Sequence, residues 1–216
     1  MLDMILRGGW VMIPIILGSI LAIALVIERW WFFREIRLDT TEFAREIFGM
    51  VERGHIERAL GACDRVAHPL ASVLRAGLEH ATETPWEIQR VMEREGQRQV
   101  EKAEKNLNYL VLVIGVEPLL GFLGTILGLI QAFMSWERYS SSVTVSALAA
   151  GIYQAMITTA AGLIVAIPSF VLYNILLGKV SITAQELNHY GDELVSFLVA
   201  RQKAATVPNH EHQTKD

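Results

Sequence analysis

A single cysteine, Cys63, occurs in this chain of 216 residues. It excludes an internal disulfide, fits a reducing compartment, and reads as a small apolar residue on a soluble helix. Charge is missing from long stretches. Residues 10–27 and 139–178 carry none, and between Lys105 and Glu137 the one charged residue is Glu117. Each stretch is long enough to cross a bilayer. The spans contain no His, Cys or Asp to accompany Glu117, which removes an intramembrane enzyme from consideration. The net charge of −4 singles out no partner, and without a basic face no nucleic acid is expected. His55, His68, His80 and His189 lack ligand spacing, and His210 with His212 in the tail is a poor metal site, so neither metal nor cofactor is expected.

What remains is apolar: 52% hydrophobic residues and a mean hydropathy of +0.33. The expectation is an all-α polytopic membrane protein with three transmembrane helices, its long helices extending into a cytoplasmic helical domain. The first apolar stretch ends in Glu28-Arg29-Trp30-Trp31 and not in a small-residue cleavage site, so it reads as a retained helix. The segments are 1–33 (N-terminal segment and first span), 34–105 (cytoplasmic helices), 106–136 (second span) and 137–144 (periplasmic turn). They continue with 145–179 (third span), 180–206 (cytoplasmic helix) and 207–216 (disordered tail). Asp39, His68 and the capping box Thr84-Pro85-Trp86-Glu87 mark helix starts. No breaker separates Pro85 from the second span, which predicts one continuous helix there. Arg29, Arg34, Arg37 and Arg45 follow span one, and Arg90, Arg94, Arg98, Lys102 and Lys105 precede span two. The positive-inside rule then puts the central region and C-terminus in the cytoplasm and the N-terminus outside.

Chemistry concentrates in the last two spans. At about 100° per residue, Glu117, Gly121, Gly124, Gly128 and Gln131 share one stripe, with Thr125 at its edge. The opposite side, Leu119, Phe122, Ile126, Leu129 and Phe133, is large and apolar and suits lipid. In span three Thr159 shares a face with Ala155, Gly162 and Ala166, beside Gln154, Thr158 and Ala161. Pro118 and Pro168 belong with the glycines to the helix-packing motif, and Pro168 frees the carbonyl of Ile164 for a Ser or Thr side chain or water. An acid about ten residues, ~15 Å, inside the membrane is expensive and usually faces a bundle interior or wet cavity. Two readings of Glu117 stand: an acid loaded and unloaded with protons, or one paired at a subunit contact. The glycines either line a passage or only pack neighbouring helices, and each threonine either relays a proton or bonds its own backbone.

The segment Pro118-Leu-Leu-Gly-Phe-Leu-Gly-Thr-Ile-Leu-Gly-Leu-Ile-Gln-Ala-Phe133, with Gly151-Ile-Tyr-Gln-Ala-Met-Ile-Thr-Thr-Ala-Ala-Gly-Leu-Ile-Val-Ala-Ile-Pro168, strongly resembles the MotA/TolQ/ExbB proton-channel family. The likeness favours the ExbB/TolQ-like branch and covers essentially the whole chain. It implies a homopentamer in the bacterial inner membrane whose second and third spans line a pore. The pore would hold an ExbD/TolR-like single-span protein, whose aspartate is the main proton carrier, and would energise a TonB- or TolA-like protein. The family's pore threonines match Thr125 and Thr159. The span-three acid of some members falls on Gln154, and Glu117 stands where alanine commonly precedes the motif proline. The competing reading is a non-conducting oligomeric membrane scaffold.

Overall fold

The computed structural model describes residues 7–138 and 145–206. Among them the chain is helical, in the order α1 (Met12–Glu35), α2 (Thr40–Glu52), α3 (Ile56–Cys63), α4 (Pro69–Glu79), α5 (Pro85–Glu104), α6 (Leu107–Arg138) and α7 (Val145–Thr206). The predicted tail, 207–216, lies outside the described residues, as does most of the predicted turn.

One expectation about continuity is corrected. The helix foreseen from Pro85 through the second span is divided: α5 stops at Glu104 and α6 starts at Leu107. Between them Asn106 takes the left-handed conformation, φ 68°, which asparagine tolerates better than most residues. Its side-chain amide donates to Glu28 Oε2 at 3.1 Å. The third span and the helix foreseen after it form one uninterrupted α7 of 62 residues, with Pro168 inside it, in keeping with long helices that extend beyond the membrane spans.

The chain divides into two compact units. One comprises Met1–Trp31 with Lys105–Leu177. Val11, Met12 and Ile15 are buried there against Leu120 and Leu127 of α6 and Ile157, Ala161 and Val165 of α7. Ile13, Leu17, Leu119, Phe122, Ile126 and Phe133 are exposed. So large an apolar surface suits lipid or a neighbouring chain, not water. Helices α1, α6 and the first part of α7 are long and apolar enough to cross a membrane.

The second unit comprises Phe32–Glu104 with Gly178–Asp216. Amphipathic helices bury Ile47, Val51, Leu70, Leu74, Ile88, Met92, Leu194 and Leu198 in one core. Asp39 caps α2 by accepting the Glu42 N–H at 3.0 Å. His68 caps α4 through Nδ1, which accepts the Leu70 N–H at 3.1 Å. Thr84 and Glu87 close a reciprocal capping box, the Thr84 N–H on Glu87 Oε2 at 3.0 Å and the Glu87 N–H on Thr84 Oγ1 at 3.4 Å.

Candidate functional site

The seam between α6 and α7 is built from missing side chains. A Cβ on Gly128 would stand 2.6 Å from the Gly151 carbonyl oxygen, and one on Gly151 would stand 2.5 Å from that of Gly128. A Cβ on Gly121 would meet the Thr159 Cα at 3.0 Å, one on Gly124 would fall on the Thr158 side chain, and one on Gly162 would strike the Glu117 carbonyl. The two backbones therefore touch along their length only because these positions are glycine. The glycine stripe packs against α7 of its own chain.

This close approach brings two hydroxyls together. Thr125 and Thr159 hydrogen-bond each other across the seam. Thr159 Oγ1 also reaches the Gly121 carbonyl at 3.0 Å, and Thr125 Oγ1 reaches it at 3.2 Å. The Ala155 carbonyl lies 3.5 Å from Thr125 Oγ1. Each hydroxyl has one proton and can accept as well as donate. Thr125 can donate to Thr159 while Thr159 donates to Gly121, or the order can reverse with Thr125 donating to Gly121. Both orders use the same heavy-atom positions, which is the property a hydroxyl relay needs.

The pair and the acid occupy different sides of the seam. Thr125 lies two residues before Leu127, and Thr159 lies two residues from both Ile157 and Ala161, the side chains that pack against α1. At helical periodicity two residues carry a side chain to the opposite side. Glu117, by contrast, is 2% exposed and directed at α1, where a Cβ on Gly18 would collide with its Oε1. Its Oε2 is buried with no hydrogen-bond partner among the described residues. The predicted stripe thus splits: glycines on α7, carboxyl on α1, Gln131 exposed.

Thr158 is fully buried and donates to the backbone of its own helix, with Gln154 and Ala155 carbonyls each at 3.0 Å. Gln154 lies against Gly9, where a Cβ would come within 2.6 Å of its Nε2. Pro118 is half-buried within α6 and Pro168 exposed within α7. Sequence reasoning missed Gly18 as the partner of Glu117. Its only signal was a glycine inside the first span, and the pairing crosses about a hundred residues of chain.

Three helices long and apolar enough to cross a membrane, two of them packed backbone to backbone beside buried polar groups, define an integral membrane protein. Comparison with known proteins makes this specific: residues 65–189 match the MotA/TolQ/ExbB proton channel family. The biopolymer transport protein ExbB-like 1 of Synechocystis is 30% identical over 200 residues, 90% of this chain and 77% of that protein. ExbB-like 3 of the same organism is 31% identical over 172 residues, 79% and 81% of the two chains. The Tol-Pal system protein TolQ of Haemophilus influenzae is 35% identical over 101 residues, 47% and 44%. The chain belongs to the MotA/TolQ/ExbB proton channel family, in its ExbB/TolQ-like branch. It is an inner-membrane protein of proton-driven energy transduction and not an enzyme.

Proposed function

We propose that this chain is the pore-forming subunit of an inner-membrane proton-driven motor or stator complex. It would convert proton motive force into mechanical work on a TonB- or TolA-like protein. The observation that carries the reading is the mutual hydrogen bond of Thr125 and Thr159 over the Gly121 carbonyl. It provides a reversible hydroxyl relay without a basic group to repel protons. A homopentamer would set five such pairs around a lumen holding an ExbD/TolR-like helix, whose carboxylate carries the charge. The N-terminus is periplasmic and the C-terminus cytoplasmic in this arrangement, with membrane lipid on the outer apolar faces. One charge crossing 100 mV yields ~2.3 kcal/mol, so useful work takes several protons or repeated small steps, as a ring of identical subunits allows.

Glu117 belongs to a different part of the mechanism. An ionised carboxylate buried without a partner costs several kcal/mol, in the range of breaking a buried ion pair. Two roles stay open for it: it takes up and releases a proton during the cycle, or it pairs with a basic or polar group at a subunit contact. A non-conducting scaffold is the second reading, favoured by the Gly128–Gly151 contact, which packs helices whether or not protons move. The deciding experiment replaces Thr125 and Thr159 together with valine in the assembled complex. Loss of proton-driven uptake with assembly retained is expected; undiminished uptake would establish the scaffold.

A further inference from the structure

A cavity of about 510 Å³ in the second unit is lined by residues that leave the ends of two membrane spans. That volume lies in the ordinary range for small-ligand pockets, roughly 300–1,000 Å³. Phe33 belongs to the end of α1, and Lys179 is the first charged residue after the forty uncharged ones of 139–178. Both follow directly on the uncharged stretches, Phe33 six residues after Ile27 and Lys179 next to Gly178. Lys179, Ile182, Thr183 and Glu186 repeat at helical spacing and present one stripe of α7 to the cavity. The Lys179 ammonium stands 5.7 Å from the centre of the Phe33 ring.

The polar lining carries both signs. Arg37 and Lys179 are cationic, and Asp39 and Glu186 are anionic. Asp39 Oδ1 accepts the Glu42 N–H. His68 is 7% exposed and lines the same cavity, with Nδ1 occupied by the Leu70 N–H. Its neutral ring therefore carries its proton on Nε2, and burial holds the imidazole below its ordinary range. Two cations and a ring donor suit a phosphate diester. Two carboxylates suit an ammonium and disfavour a headgroup that is only anionic. Phe33, Ile36 and Ile182 supply an apolar wall that a free phosphate would leave unused.

We propose that this cavity binds the headgroup of a phospholipid bearing both a phosphate and a primary ammonium, of which phosphatidylethanolamine is the simplest. The phosphate is held by Arg37 and Lys179 and the ammonium by Asp39 and Glu186, with the acyl chains leaving past Phe33. Such a lipid would tie the end of the first span to the start of the cytoplasmic part of α7.

The test is native mass spectrometry of the full-length chain, purified in detergent with its oligomer intact. Phosphatidylethanolamine and phosphatidylglycerol are titrated in turn. The wild type should retain phosphatidylethanolamine in preference, and Arg37→Gln with Lys179→Gln should weaken retention at least about tenfold, the scale of one lost charge-assisted hydrogen bond. Glu186→Lys, a single change at a half-buried position, should reverse the preference toward phosphatidylglycerol, and it decides the matter if the double variant does not fold. Equal retention of the two lipids by wild type overturns the proposal. So does displacement of the lipid by inorganic phosphate, which would mean a soluble-anion site. Capture of a second copy by a photo-crosslinker at Thr183, in place of lipid, would mean that a neighbouring subunit fills the cavity and overturns it equally. No proton gradient enters the assay, so the result is independent of the proposed function.

Discussion

The carboxyl of Glu117 on α6 rests against Gly18 of α1, on the side of the α6–α7 seam away from the Thr125–Thr159 pair. An added Cβ at Gly18 would overlap Glu117 Oε1, so the carboxyl would have to move to make room for it. A glycine in one span and an acid in another thus form a single packing element. The acid is buried at a depth where lipid offers no substitute for a hydrogen-bond partner.

Gly18→Ala is therefore expected to destabilise the membrane unit by about 1–3 kcal/mol, the usual range for overpacking. Most of that loss should vanish in the Gly18→Ala, Glu117→Ala double variant, because the colliding carboxyl is gone. Thermal unfolding in detergent, analysed as a double-mutant cycle, reads the coupling. Strictly additive losses would show that Gly18 and Glu117 do not share one space.

The number and order of the spans and the capped helices of the second unit are legible in the sequence, because each rests on local signals. Uncharged length reveals Met12–Glu35 and Leu107–Arg138. The side chains of Asp39, His68 and Thr84 announce the helices that follow them. The side of the seam that Glu117 takes is not legible. The stripe of Glu117, Gly121, Gly124 and Gly128 is correctly helical, but a long side chain can leave its stripe for a neighbour that has room. That room is made by Gly18, whose proximity is a tertiary fact. Gln154 and Thr158 illustrate the same limit. They sit near Thr159 in sequence, yet one meets Gly9 and the other bonds its own backbone.

The break before α6 also escaped the sequence, since Lys105-Asn106-Leu107 contains neither glycine nor proline. Asn106 holds φ 68° and donates to Glu28. Asn106→Ala should cost about 1–2 kcal/mol from the left-handed backbone alone. Asn106→Gly should lose less, retaining the backbone and giving up only the bond to Glu28. Equal losses in the two variants, by thermal melts monitored by circular dichroism, would mean that the side-chain bond and not the conformation fixes the break.

His68 gives the second unit a pH dependence of defined sign. Burial lowers its pKa from the ordinary 6.5, because the folded environment favours the neutral ring. On unfolding in mild acid the ring takes up a proton that the folded form excludes. This contribution to stability is thus complete above pH 6.5 and declines as pH falls from there through the lower folded value. His68→Asn keeps a residue that can cap α4 and cannot titrate. Its unfolding midpoint should change less than the wild type's between neutral and mildly acidic pH. Identical pH profiles would assign the acid sensitivity to other groups.

Serine separates the two roles open to Thr125 and Thr159. Thr125→Ser with Thr159→Ser keeps both hydroxyls beside the Gly121 carbonyl and removes only two methyl groups, whereas valine keeps the methyls and removes the hydroxyls. If the pair relays protons, the serine variant should retain most of the proton-driven activity and the valine variant should lose it. If the pair only fills the seam, valine, the closer match in shape, should be tolerated better than serine. Gradient-driven uptake by the two variants at matched assembly levels reads the difference. The ranking is informative even if both are weakened, since a relay orders them serine above valine and packing orders them the other way.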